Sequence, residues 1–364
     1  SAFDEILSLE ALQSELRVRY PETPRFGPAD IIALLAAKLG IGGWQTMTAA
    51  EVVKYSYGDC KGLTNYMKTL LDEAGIPSYY SVINSGTSHL FFDKDFPKMG
   101  GNHVILMVPT EKGNIWLENT SQQIAFNHLS YSTTGRNVLS IRKEGIELIN
   151  TPDYTAEQSK EKQQLKIKIN EDNSILGEGN FSYTGLQYDN NLILATLSSK
   201  ERTEAVKGMF DILHFEKIEM KNFVNDKDNA VAKYDLDFKA NNYSKNAGSS
   251  IIFRAVPIYP NSVYKNEENR ELPFELRQSF EDEYEVSFIL PQQYKIEEVP
   301  ENVVLNSEFG TYKLSFVKNG ESLKVNRSIR INKGIYPKEK YNDYINFRKK
   351  ALNIDNSKIL ISKI

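Results

Sequence analysis

The chain has 364 residues and only one cysteine, Cys60. No disulfide can form within it, so a fold stapled by cystines is excluded. It also lacks an excess of positive charge: 44 Lys and Arg stand against 48 Asp and Glu, for a net charge of −4. The basic residues are scattered, whereas nucleic-acid footprints are basic and clustered. No apolar run approaches the ~18 residues needed to cross a bilayer as a helix. The four histidines and the cysteine do not have zinc-type spacing, and the carboxylates do not cluster as in a calcium loop. Neither a metal nor a cofactor is therefore expected. Internal repeats and low-complexity tracts are lacking. The chain opens with Ser1-Ala2 instead of methionine, and no basic segment precedes an apolar one. No signal peptide is visible, which fits a processed or truncated piece of a longer protein.

What is present supports a folded core. Hydrophobic residues make up 40% and charged residues 25%, ordinary for a globular chain. At ~100–200 residues per domain, two domains are expected. The first stretch mixes helix and strand. Ala29–Leu39 reads as an apolar helix ending at Gly40, and Gly42-Gly43-Trp44-Gln45 as a loop. Thr48 is placed to cap a short helix through Val53. Leu63, Tyr66, Met67, Leu70, Leu71 and Ala74 recur at helical spacing, and Gly75 and Pro77 then stop that helix. Strands are expected at Ser78–Ile83, His103–Val108 and Ile115–Glu118, with a long loop from Asn84 to Asn102. Thr151–Lys162 is polar and reads as a linker. Beyond it, six segments alternate like half-buried strands: Gln164–Ile169, Lys217–Phe223, Val231–Phe238, Glu283–Leu290, Tyr312–Val317 and Ser322–Ile331. Asn319-Gly320 marks a hairpin between the last two. Helices are expected at Leu192–Phe210 and Pro337–Leu352.

The lone cysteine sits where the second helix begins. Asp59 is a good N-cap residue, which puts Cys60 in the first turn. Aligned helix amides favour negative charge there, and the thiolate is the nucleophilic form of cysteine. A base and an orienting group are then required. His103 opens one strand and Glu118 ends another. If those strands are antiparallel neighbours, His103 could take the Cys60 proton while Glu118 accepts the imidazole's other N–H. Taken alone, Cys60 is ordinarily a small buried hydrophobe, His103 a satisfied strand histidine and Glu118 a solvated strand-end carboxylate. His89 falls in the long loop, and His128 and His214 read as structural.

Three segments carry a family resemblance. GDCKGLTNYMKTLLDEAGIPSYY resembles the cysteine-bearing helix of transglutaminase-like proteins, GNHVILMVP their histidine strand, and IWLENTSQ their acidic strand, where aspartate is commoner. GIGGWQTMTAAEVVKYSYGDCK is similar to the segment before the cysteine in a bacterial subgroup. In that subgroup the catalytic domain follows an N-terminal β domain of unknown function and precedes another β domain. GIYPKEKYNDYINFRKKAL, followed by a last short strand, resembles the subgroup's C-terminus. The resemblance covers residues 30–150 and, more loosely, 160–364.

The resemblance implies an α+β fold: a papain-like, transglutaminase-like catalytic core over 1–155, followed by a mainly antiparallel β-sandwich-like domain with helical additions over 160–364. It implies a triad of Cys60 as nucleophile, His103 as general base and then acid, and Glu118 as orienting acid. Oxyanion or cleft residues would be the Cys60 N–H with Gln45 or Trp44, and Asn102 beside His103. The expected chemistry is acyl transfer on amide or peptide bonds, with hydrolysis favoured over transamidation. The partner would be a peptide or protein amide substrate, cell-wall peptide included. The alternative is a catalytically silent binding or scaffold module in a cell-envelope assembly. The expected location, from the resemblance alone, is the periplasm or cell envelope.

Overall fold

The computed structural model describes residues 46–86, 92, 101–208, 210, 213–257, 264–320 and 322–364. The chain divides into two compact units. One ends at Asp153 and takes in Lys227–Asn229; the other comprises Tyr154–Asp226 and Ala230–Ile364.

In the first unit, a helix over Ala49–Tyr55 starts in a reciprocal cap. The Thr48 hydroxyl accepts from the Glu51 N–H, and the Glu51 carboxylate accepts from the Thr48 N–H at 2.8 Å. The second helix spans Cys60–Glu73. Asp59 caps it, accepting the Gly62 N–H at 2.8 Å. Five antiparallel strands follow: β1 (Tyr79–Ile83), β2 (His103–Thr110), β3 (Gly113–Leu117), β4 (Asn137–Arg142) and β5 (Gly145–Asn150). Their order is β3-β2-β1-β4-β5. Alternation along β2 sends Ile105 and Met107 to one face, where they join Ile83, Trp116, Leu129 and Val138. Leu106 and Val108 point to the other face and pack against Leu71 and Met67 of the Cys60 helix. Each such buried aliphatic side chain stabilises the unit by about 1.5–3 kcal/mol. That packing fixes the helix, and with it Cys60, against the strand that begins at His103.

The second unit is built on an eight-stranded sheet. In order across the sheet, its strands are Val303–Ser307, Gly310–Asn319, Ser322–Ile331, Phe280–Ile289, Lys160–Ile169, Ile175–Thr184, Val231–Asn241 and His214–Asp226. A four-stranded sheet includes Ser250–Arg254, and Phe253 from it meets Phe288 of the larger sheet with ring centroids 5.0 Å apart. The helix Tyr341–Asp355 brings Asp355 to Arg327 of the larger sheet through two hydrogen bonds of 2.8 and 3.0 Å. Tyr312 donates to the same carboxylate at 2.6 Å.

The α+β expectation with a papain-like, transglutaminase-like core is overturned. The fold is mainly β: the described residues contain nineteen strands against five α-helices, and only two of those helices lie in the first unit. The reason is that the quoted motifs are short, whereas period-two alternation governs most of the chain. Residues 137–150 form a further hairpin that widens the first sheet. The larger sheet is also not wholly antiparallel, because Phe280–Ile289 and Lys160–Ile169 pair in parallel. The expected linker Thr151–Lys162 is strand from Lys160 onward. The helix expected over Leu192–Phe210 is a short 3-10 turn, Leu192–Thr196, and then a helix over Ser199–Lys207 begun by a Ser198–Glu201 capping box. The Ala29–Leu39 helix and the Gly42–Gln45 loop lie outside the described residues, as does most of the Asn84–Asn102 loop with His89.

Candidate active site

Cys60, the first residue of its helix, is free and half-buried. His103, the first residue of β2, lies within side-chain hydrogen-bonding reach of Cys60. Its Nε2 lies 2.8 Å from Glu118 Oε2, which leaves Nδ1 as the ring nitrogen available to the sulfur. The His103 and Glu118 side chains are 16% and 7% exposed, so the pair is largely out of water. β2 and β3 pair as far as Leu106 and Leu117. Glu118 is therefore the first residue past the ladder, where a side chain is free to turn toward the strand start at His103. Glu118 makes this contact at ordinary hydrogen-bond length.

The second carboxylate oxygen is fixed as well. Glu118 Oε1 accepts from the Thr120 N–H at 3.1 Å and from the Thr120 hydroxyl at 2.6 Å. Burial alone would raise the Glu118 pKa, but the His103 contact and the Thr120 donors outweigh it and hold the group below the usual carboxylate value. Burial likewise works to lower the His103 pKa. Its hydrogen bonds to Cys60 and Glu118, and the charge on each, prevail and push it up to about 9. The resting imidazole is thus protonated at neutral pH. Tyr80 of β1 pairs with Leu106 in register, and so shares that residue's helix-facing side of the sheet. Burial, with the Cys60 and Asp59 charges nearby, raises its phenol pKa well above the ordinary value, so Tyr80 remains a hydrogen-bond donor.

Asn102 is exposed, and its amide is committed to Ser85. Oδ1 accepts the Ser85 N–H at 2.7 Å, and Nδ2 donates to the Ser85 carbonyl at 2.8 Å. It ties together the two ends of the long loop. Trp44 and Gln45 lie outside the described residues. No group of three His, Cys, Asp or Glu able to hold a metal occurs among the described residues. No helix among them is long and apolar enough to cross a membrane.

Sequence reasoning did not single out Thr120, Tyr80, Thr64 or Asn119. Thr120 had a local signal, a hydroxyl two residues after a carboxylate. Thr64 had another, its position one turn after Cys60 on the same helix face. Tyr80 had none, because its place depends on strand register.

Residues 249–361 match a family model described as a domain of unknown function with solved structure, DUF3858. A crystal structure described as a "putative protease" from Parabacteroides distasonis is similar over 88% of this chain and 47% of its own, at 16% identity and a TM-score of 0.46. The chain thus spans about half the length of that protein. No curated protein matches the chain.

Proposed function

We propose that the chain is a transglutaminase-like thiol enzyme acting on amide or peptide bonds, with hydrolysis favoured over transamidation. The observation that carries this reading is one imidazole held between a half-buried cysteine and a desolvated carboxylate. The resemblance of three sequence segments to transglutaminase-like proteins supports it independently, since each contributes one of these side chains.

The chemistry follows from the arrangement. The Cys60 sulfur attacks the carbonyl carbon as thiolate, forming a C–S bond and a tetrahedral oxyanion. First-turn N–H groups of a helix lack intrahelical partners, and the Cys60 N–H is placed among them as an oxyanion donor. As the intermediate collapses, the C–N bond breaks and the His103 imidazolium gives its proton to the leaving amine. Neutral His103 then takes a proton from water as the water oxygen bonds to the thioester carbon; the C–S bond breaks, Cys60 leaves as thiolate and the acid is released. Glu118 holds the ring and stabilises its charged form throughout. The substrate is a peptide or protein amide, with cell-wall peptides among the candidates. The periplasm or cell envelope is the location proposed, on the resemblance alone.

The test is turnover. Peptide libraries and cell-wall fragments are incubated with the wild type and with Cys60→Ala, and the intact protein is weighed for an acyl adduct. Product formation with an adduct on Cys60, both lost in the variant, is expected. Binding without turnover or adduct across the set contradicts the enzyme and favours a silent binding or scaffold module.

A further inference from the structure

Beyond Leu106 and Leu117 the hydrogen-bonded ladder between β2 and β3 stops, yet the two site-bearing segments remain joined. The connection runs through a side chain of the cysteine helix. The Thr64 hydroxyl, fully buried, donates to the Val104 carbonyl at 3.3 Å and accepts from Asn119 Nδ2 at 3.1 Å. Val104 follows His103, Asn119 follows Glu118, and Thr64 lies one turn after Cys60. One hydroxyl, carried on the Cys60 helix, therefore touches the residues that follow His103 and Glu118. An aliphatic side chain would fill this buried position without a polar atom.

We infer that Thr64, with Asn119, is a positioning residue that sets the distances among Cys60, His103 and Glu118. The inference rests on the reading of these three as a catalytic unit. Thr64 touches no substrate and moves no proton. It acts by stopping the helix start from drifting relative to the two strand ends, and displacements of about 1 Å in such a site cost roughly 10²-fold in rate.

The experiment measures Cys60 alkylation by iodoacetamide against pH, together with the His103 titration by NMR, in the full chain. Thr64→Val keeps the shape and removes both hydrogen bonds; Thr64→Ser keeps the hydroxyl. Asn119→Ala leaves the Val104 bond and removes the second one, together with the Nδ2 contact to the Leu117 carbonyl at 3.4 Å, and serves if the valine variant does not fold. Expected are alkylation slowed about tenfold or more in Thr64→Val, a smaller loss in Asn119→Ala, and a His103 titration displaced from about 9 toward the ordinary value of about 6.5. Thr64→Ser restores both readouts. The inference is overturned if every folded variant keeps the wild-type rate and titration, even where its melting temperature falls. His103→Ala is run in parallel. If it leaves alkylation of the otherwise wild-type protein unchanged, the catalytic reading itself fails; if it slows alkylation while Thr64→Val and Asn119→Ala do not, only the positioning role fails.

Discussion

Each unit contains a desolvated opposite-charge pair, and the two pairs differ in what surrounds them. In the second unit, the Arg327 and Asp355 side chains are 1% and 3% exposed and meet through a two-pronged contact, with the Tyr312 hydroxyl on the same carboxylate. Nothing nucleophilic in that group can reach a substrate. In the first unit, the His103–Glu118 pair is also buried, but its imidazole turns toward a half-buried cysteine at a helix start. A buried ion pair is thus not a site in itself. It becomes a candidate when a titratable member of the pair has a second contact, and that contact is a nucleophile accessible from outside. The Arg327–Asp355 pair joins a helix to a sheet; the His103–Glu118 pair is the one proposed to hold a proton for chemistry.

The comparison breaks most sharply at Cys60. Cys60→Ala should abolish the proposed turnover, a loss of about 10⁴-fold or more for removal of a nucleophile, with an unchanged melting temperature. Turnover surviving in that variant would leave the first cluster as inert as the second. Next in size is Asp355→Ala, which takes its two-pronged carboxylate partner from the buried Arg327. A cost of about 3–5 kcal/mol in chemical denaturation is expected, with Cys60 alkylation in the still-folded fraction unaffected. Glu118→Gln should slow turnover by roughly 10²-fold, since it removes the charge that stabilises imidazolium. The His103 titration should move down at the same time.

pH sharpens the contrast. Leaving-amine protonation needs the imidazolium, so turnover should decline as pH rises through about 9, where His103 loses its proton. For stability, the folded pKa of His103 lies above its unfolded value of about 6.5. Its contribution is therefore complete below that value and is lost as pH rises through about 9. In the second unit, Asp282 stands directly opposite Glu161 on the parallel strand. Burial, with the Glu161 charge adding to it, pushes Asp282 up to about 8. The folded state then keeps a proton that the unfolded chain has already released, so stability declines between about pH 4 and pH 8. Asp282→Asn, which still has an oxygen to accept from Gln187, should flatten that decline. Its melting temperature should exceed that of the wild type at pH 8 and above, by a few degrees.

Legibility followed distance along the chain. The Cys60 helix and its Asp59 cap could be read because capping is decided within four residues. The neighbourhood of His103 and Glu118 could be read because a tight turn at Gly113, whose φ is +118°, joins the two strands. The fold class could not be read from three short motifs. Ile175–Thr184 was missed because Gly177 and Gly179 sit inside it. Across the ladder, Phe238 pairs with Gly177 and its ring occupies the space a Cβ would need, so the glycine belongs to the strand through a partner sixty-one residues away. The parallel pairing of Lys160–Ile169 with Phe280–Ile289 is likewise invisible to any local pattern.

The central claim is that His103 activates Cys60. Its most direct test is the rate at which iodoacetamide modifies Cys60 near neutral pH in the wild type and in His103→Ala. The account predicts rapid modification that the substitution slows by about tenfold or more. Modification no faster than that of an ordinary unactivated thiol, and indifferent to residue 103, would contradict it.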